Sequence, residues 1–203
     1  MDEIQNENEQ HFAFLYGILQ RFTGLSTENF QILVPYLQVR SFDKKTIIMP
    51  AGEMDDYLSL VVKGLVRKYI TVDKKEITLQ LATEGHIIQS EISFLTRTPS
   101  ELTVESLEPS ILVSMHVDKV HQALRDLPFA EELGRMIITY MFIKKDQRSY
   151  KQLSKNTRER FLDYVSEHPH MLQRVPQKIL ASYLNIKPET FSRLKHLVQK
   201  KEF

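Results

Sequence analysis

The segment LNIKPETFSRLKH (184–196) gathers a carboxylate (Glu189), two hydroxyls (Thr190 and Ser192) and a guanidinium (Arg193) within two helical turns. These groups suit the reading of base edges. A guanidinium pairs in bidentate fashion with guanine O6 and N7, a carboxylate accepts from cytosine N4, and a hydroxyl serves a base edge or a phosphate. Lys187, Lys195, Lys200 and Lys201 bracket the segment with charge of the sign a phosphate backbone attracts. Glu189 and Arg193 also stand at i,i+4, the spacing of an ordinary ion pair on a solvated helix. That simpler reading leaves the preceding turn and the charge layout of the chain unexplained.

A short helix that presents such groups outward needs a partner to hold its inner side. VPQKILASYL (175–184) supplies one, with Pro176 suited to a first helical turn. Two helices joined by about three residues form a helix-turn-helix. Leu180 and Leu184 are expected to face inward, and Ala181 is small where the second helix crosses. Asn185 takes the sharp turn, where its side chain tolerates left-handed φ better than most. Ile186, Phe191 and Leu194 close the apolar wedge. A third helical piece, TRERFLDYVSEH (157–168), puts Phe161, Leu162 and Val165 on one side and ends at His168-Pro169.

Upstream, residues 42–118 read as short strands: TIIM, YLSLVVKG, LVRKYITV, EITLQLA, HIIQ, LTVESL and SILVSMHV, separated by turn residues. Such spacing predicts a β-sandwich or barrel, with Gly64 at a tight turn that requires positive φ. From Phe129 the period lengthens. Phe129, Leu133, Met136, Tyr140, Ile143, Gln147 and Tyr150 follow alternating steps of four and three, a heptad seam. The stretch MIITYMFI (136–143) is apolar nearly all round, so one side would face the chain's own domain and the seam a twin helix. A single long core helix in a monomer is the alternative on these residues. The dimer reading assigns Leu133, Met136, Tyr140, Ile143 and Gln147 to the interface.

Composition bounds the rest. The chain has 203 residues, 42% hydrophobic and 26% charged, as in ordinary globular proteins. It has no cysteine, which excludes disulfides, thiolate zinc sites and cysteine-ligated iron–sulfur clusters. No apolar run approaches the roughly 18 residues of a membrane span, and the acidic, amide-rich start is no signal peptide, so a cytoplasmic location is expected. The net charge of +1 hides an asymmetry: residues 1–128 carry 12 Lys/Arg against 18 Asp/Glu, and residues 155–203 carry 10 against 5. An acidic body with a basic tail is the layout of a chain whose tail alone meets a polyanion. His86, His116 and His121 fall in or beside the strand-rich region without metal-ligand spacing, and there is no phosphate loop or nucleophile elbow. No enzyme and no metal site are expected.

With these elements in place, VVKGLVRKY (61–69), SEISFLTRTPSELTVESLE (90–108) and ASYLNIKPETFSRLKH (181–196) resemble the CRP/FNR family of bacterial transcription regulators, from roughly residue 10 to 200. The resemblance implies an α+β fold: a cyclic-nucleotide-binding-type β-roll with flanking helices (1–128), a dimerisation helix (129–154) and a helix-turn-helix domain (155–203). It also implies a homodimer that binds double-stranded DNA at a pseudo-palindromic operator, with RNA polymerase as a further partner. Glu189, Ser192 and Arg193 are similar to the base-contacting E-x-x-S-R pattern of the FNR-like branch.

Three departures qualify the resemblance. Where cyclic-AMP receptors carry Gly-Glu and later Arg-Ser/Thr, this chain reads Ser90-Glu91 and Ser100-Glu101. The phosphate-binding arginine is missing and a carboxylate is added, so cyclic nucleotide is not expected as a cofactor unless Arg97 substitutes. An effector pocket of unknown ligand is placed at Ser90, Glu91, Arg97, Ser100 and Glu101. The chain ends ten residues after Arg193, too soon for the family's β-hairpin wing, and Lys187 stands where a capping hydroxyl is usual. The short tail and the S-x-L-T-x-x-P-S pattern look like a Bacteroidetes-type branch. The rival reading is a ligand-binding or protein-interaction module whose tail no longer reads DNA.

Overall fold

The computed structural model describes residues 2–199, with side chains from 8 to 196. Two helices lead, α1 (Asp2–Thr23) and α2 (Thr27–Leu33). The strands follow: β1 (Gln38–Phe42), β2 (Ile47–Met49), β3 (Tyr57–Lys63), β4 (Val66–Val72), β5 (Lys75–Ala82) and β6 (Ile87–Ile88). A short helix α3 (Glu91–Thr96) precedes β7 (Leu102–Ser106) and β8 (Ser110–His116). Then come α4 (Val117–Asp126), the long α5 (Ala130–Ser154), α6 (Thr157–Glu167), α7 (Met171–Arg174), α8 (Gln177–Tyr183) and α9 (Pro188–Gln199).

The strands form two four-stranded sheets, ordered β1-β8-β3-β6 and β2-β7-β4-β5. This is the expected sandwich, with one strand more than the sequence reading found. β1 (QVRSF) pairs antiparallel with β8, from Gln38 opposite Ser114 to Phe42 opposite Ser110. Its polar, half-exposed alternation hides it from a search for apolar runs. β3 is buried on both faces. Val61, with Val66, Val104 and Leu112, fills the space between the sheets. Its neighbour Leu60, with Val113, packs outward against Leu15, Leu19, Phe30, Leu33 and Leu133 from the helices.

Gly64 turns β3 into β4 at φ 97°, and a Cβ there would lie 2.5 Å from Pro109 O and Ser110 Oγ. Both the backbone conformation and the space demand glycine.

Two compact units interleave along the chain. One runs through Lys68 and resumes from Leu81 to Phe142; the other joins Tyr69–Gln80 to the helices from Ile143 onward. Within the second unit Thr78 N–H donates to Ser182 Oγ at 2.9 Å, and that hydroxyl donates to Glu76 O at 3.3 Å.

The heptad seam takes a different face from the one expected. Leu133 is 7% exposed within its own unit's core, and Tyr140 stacks on Phe22 with ring centroids 4.3 Å apart. Met136 is half-buried. The upper seam therefore faces the chain's own β-roll, because α1, α2 and α4 supply the apolar surface it needs. The outward apolar residues of α5 are Ile138 and Phe142, at 53% and 67% exposed, followed by Ile143, Tyr150 and Leu153. Leu133 is thus a core residue and Tyr140 a half-buried one stacked on Phe22, whereas Ile143 and Gln147 remain on the exposed part of the helix.

Candidate nucleic-acid interface and effector region

The C-terminal helices are built from their ends inward. Asn156 caps α6 with its side-chain oxygen accepting from Arg158 N–H and Glu159 N–H at 3.0 and 3.1 Å. Glu159 returns the bond to Asn156 N–H at 2.8 Å, completing a capping box. Phe161 and Val165 are buried as expected, but Leu162 is 41% exposed, one position round the helix from the wedge.

α8 begins after Pro176, which occupies the cap position rather than the first turn, and α7 is a helix the sequence reading did not separate. α8 ends in a Schellman motif. Ile186 N–H reaches Ala181 O at 2.9 Å and Asn185 N–H reaches Ser182 O at 3.0 Å, with Asn185 at φ 53°. Leu180 and Ala181 are fully buried, Leu184, Ile186 and Phe191 nearly so, and Leu194 half-buried. Phe191 meets Phe161 edge to face at 5.1 Å, which locks α9 to α6.

Sequence reasoning missed the residue that clamps this turn. Arg160 donates Nε–H to Leu184 O at 3.2 Å, Nη2–H to Asn185 O at 3.1 Å and Nη1–H to Lys155 O at 2.7 Å. One guanidinium thereby satisfies carbonyls at the end of α8 and at the start of α6. Its local sequence gave no sign of this, since apart from a long bond to the Thr157 hydroxyl at 3.4 Å its partners are backbone carbonyls. A second cation, Arg148, lies 4.1 Å from the centre of the Tyr183 ring and donates to Tyr183 O at 3.3 Å. Burial holds its guanidinium below the usual arginine range, and burial likewise pushes the neighbouring Tyr164 phenol up.

On α9, Glu189 and Arg193 are exposed, while Thr190 and Ser192 are half-buried. Lys187 is exposed at the start of the helix, and Lys195 is half-buried. Lys200 and Lys201 lie outside the described residues. Arg193 Nε–H donates to Glu189 O at 3.4 Å, a long bond to the backbone rather than to the carboxylate. The ordinary i,i+4 ion pair is not formed, so both charged groups stand available on one face.

In the other unit, α3 and its flanks gather the five residues placed at the effector region. Ser90 is buried; its N–H donates to Asp55 Oδ2 at 2.6 Å, and its hydroxyl accepts from Ser100 Oγ at 2.8 Å. Glu91 is paired with the buried Lys68, Nζ to Oε2 at 2.6 Å, and Lys68 also donates to Gln89 O at 2.7 Å. Arg97, at φ 56°, closes α3; its guanidinium donates to Asp55 O at 2.9 Å and pairs with Asp56. Glu101 is exposed.

Asp55, which the sequence reading did not single out, is the hub of this cluster. It also accepts from Tyr57 N–H at 3.1 Å, and its own N–H donates to Ser93 Oγ at 2.9 Å. Burial pushes its carboxyl above the usual aspartate range. Here too the expectation needs correcting. None of Ser90, Glu91, Arg97, Ser100 or Glu101 lines the unit's cavity of about 140 Å³, which opens beside them among Arg40, Met49, Asp55, Tyr57, Gln89 and Val104. Nor does the cluster fit a cyclic phosphate: the one buried cation beside Glu91 is neutralised by it, and Arg97 is taken by Asp55 and Asp56.

The histidines serve local roles. His116 Nδ1 accepts from Asp118 N–H at 3.2 Å, His86 Nδ1 lies 3.1 Å from Thr83 Oγ1, and His121 is exposed. Among the described residues no group of three or more His, Asp or Glu side chains is arranged to hold a metal.

A β-roll with a short helix between its sixth and seventh strands, a long helix and a C-terminal helix-turn-helix together define a cyclic-nucleotide-binding-type domain joined to the fold of CRP/FNR regulators. Residues 39–126 match the cyclic nucleotide-binding domain family. Over most of the chain the structure resembles FixK2 from Bradyrhizobium japonicum (18% identity, 82% of this chain and 86% of that one, TM-score 0.66). It also resembles the Thermus thermophilus catabolite activator protein (21%, 91% and 88%, TM-score 0.53). A third neighbour, from Eubacterium rectale and assigned to the CRP/FNR family of transcriptional regulators, covers 88% of this chain and 85% of its own (19%, TM-score 0.66). No curated protein matches the sequence. The neighbours of this fold are transcription regulators rather than enzymes.

Proposed function

We propose that the protein is a cytoplasmic, homodimeric, sequence-specific DNA-binding regulator of the CRP/FNR type whose β-roll senses something other than cyclic AMP. The observation that carries the DNA half is the division of α9: Phe191 and Ile186 are sunk in the wedge, while Glu189 and Arg193 face outward without pairing to each other. A helix so mounted presents a carboxylate and a guanidinium to a major groove, with Lys187 and Lys195 placed for phosphates. Two such helices related by a two-fold axis read half-sites about one helical turn apart. The outward Ile138 and Phe142 of α5 supply the apolar surface for that pairing.

The test is selection of a preferred duplex from a random pool, followed by titration of binding against salt. A regulator loses affinity steeply as salt rises yet keeps a preference for the selected site over random duplex. Equal, weak binding to every duplex refutes the reading and leaves a module of the same fold that does not read DNA. For the sensor half, cyclic AMP at millimolar concentration leaves the melting temperature where it was; a clear rise would refute that half.

A further inference from the structure

The cavity of the first unit holds two opposite charges that do not meet. Arg40, on β1, lies over the Tyr57 ring at 3.8 Å and the Phe42 ring at 4.9 Å. Among the described residues its guanidinium makes no hydrogen bond or ion pair, and burial holds its pKa below the usual arginine value without discharging it. Asp55 lines the same cavity. Each of its carboxylate oxygens accepts one backbone N–H and keeps a further lone pair. Gln89, only 5% exposed, also lines it, and its Oε1 is buried with no partner. A buried acceptor left unmet is costly, and a donor from outside the chain would satisfy it. The remaining wall is apolar: Ile48, Met49, Val104 and Leu112.

The size of the space narrows the ligand. A cavity of about 140 Å³ is well below the range of about 300–1,000 Å³ typical of sites for drug-sized molecules. A ligand smaller than a nucleotide suits it best. The polar groups call for an anion at Arg40 and a cationic N–H donor between Asp55 and Gln89, with an apolar remainder. We propose that this cavity binds a small α-amino acid, its carboxylate on Arg40, its ammonium shared by Asp55 and Gln89 Oε1, and its side chain against Met49, Val104 and Leu112. The site is separate from the Ser90–Ser100 and Lys68–Glu91 contacts, which are complete within the chain. Because Ser90 N–H donates to that carboxylate, a ligand on it acts directly on the start of α3, while Arg97 at the helix end holds the Asp55 backbone carbonyl.

The inference rests on reading the β-roll as a sensor, and its readout contains no DNA, so failure here and failure of operator binding are separate results. The full chain is melted with glycine, L-alanine, L-serine and L-valine, and with isovalerate and isobutylamine, which are valine without its ammonium and without its carboxylate. At about tenfold over its dissociation constant, at least one amino acid raises the melting temperature by about 3 °C, and neither truncated analogue does. Gln89→Met, which removes the unmet oxygen and keeps the volume, folds at least as stably as the parent and cuts that shift to less than half. Arg40→Met abolishes it; if that variant does not fold, Gln89→Met decides. No shift with any of the four amino acids, an equal shift with isovalerate alone, or an undiminished shift in Gln89→Met overturns the proposal.

Discussion

Arg193 and Arg160 carry the same charge and serve opposite ends. Arg193 is exposed on α9 with a single long bond to a backbone carbonyl, whereas Arg160 spends its donors on carbonyls at the turn between α8 and α9. Arg193→Ala therefore leaves the melting temperature nearly unchanged and costs about 1–3 kcal/mol in binding at the preferred DNA site, with relaxed base choice, as a mobility-shift titration will read. Arg160→Ala has the reverse profile. It strips charged donors from partly buried carbonyls and costs roughly 2 kcal/mol of stability in urea denaturation. Gly64→Ala belongs with the second kind: the new methyl meets Pro109 and Ser110 at a φ no side chain favours, and about 3 kcal/mol is lost. Arg193 was legible in the sequence because its spacing within E-x-x-S-R is local. Arg160 was not, because what it holds are carbonyls 24 and 25 residues away.

At the scale of elements, the turn of the helix-turn-helix shows how closely local signals can specify a piece of structure. Asn185 stands at φ 53°, with both bonds of the Schellman motif around it. Asn185→Val forces a β-branched residue into that conformation and costs about 1–2 kcal/mol, while Asn185→Gly stays within about 0.5 kcal/mol of the parent; thermal melts of both variants distinguish the two. The long helix was read correctly as a helix but not as to its faces. A heptad pattern says which residues share a stripe, not what covers the stripe. Leu133 and Tyr140 are covered by α1, α2 and their neighbours, and the apolar residues of α5 left exposed are Ile138, Phe142, Ile143, Tyr150 and Leu153. β1 was missed for a related reason: a strand recruited by backbone pairing to β8 needs little apolar content of its own.

For the whole molecule, the assignment of α5's faces makes a prediction that separates assembly from folding. Phe142→Glu together with Ile138→Glu leaves the chain folded and converts a dimer to a monomer in sedimentation at micromolar concentration. Leu133→Glu instead unfolds the β-roll, because it buries a carboxylate in the core. Had the seam itself been the dimer surface, the two results would exchange places. The interleaving of the units has its own consequence. Ser182→Ala removes the hydroxyl that receives Thr78 N–H and donates to Glu76, and should free the β4–β5 hairpin tip to exchange its amide hydrogens faster, with the amides of β3 and β8 unaffected.

The sandwich, the wedge and the outward charges of α9 followed from the sequence by itself, because each rests on contacts between residues a few positions apart or on simple apolar periodicity. Which face of α5 is buried, where Arg160 and Lys68 spend their charge, and the cavity between Arg40, Asp55 and Gln89 were decided only by tertiary structure. Those features depend on partners from 15 to 118 positions away whose meeting no local pattern encodes. They are settled when the sheets and helices close, and burial then turns an unremarkable arginine, aspartate and glutamine into a set with unmet polar demands.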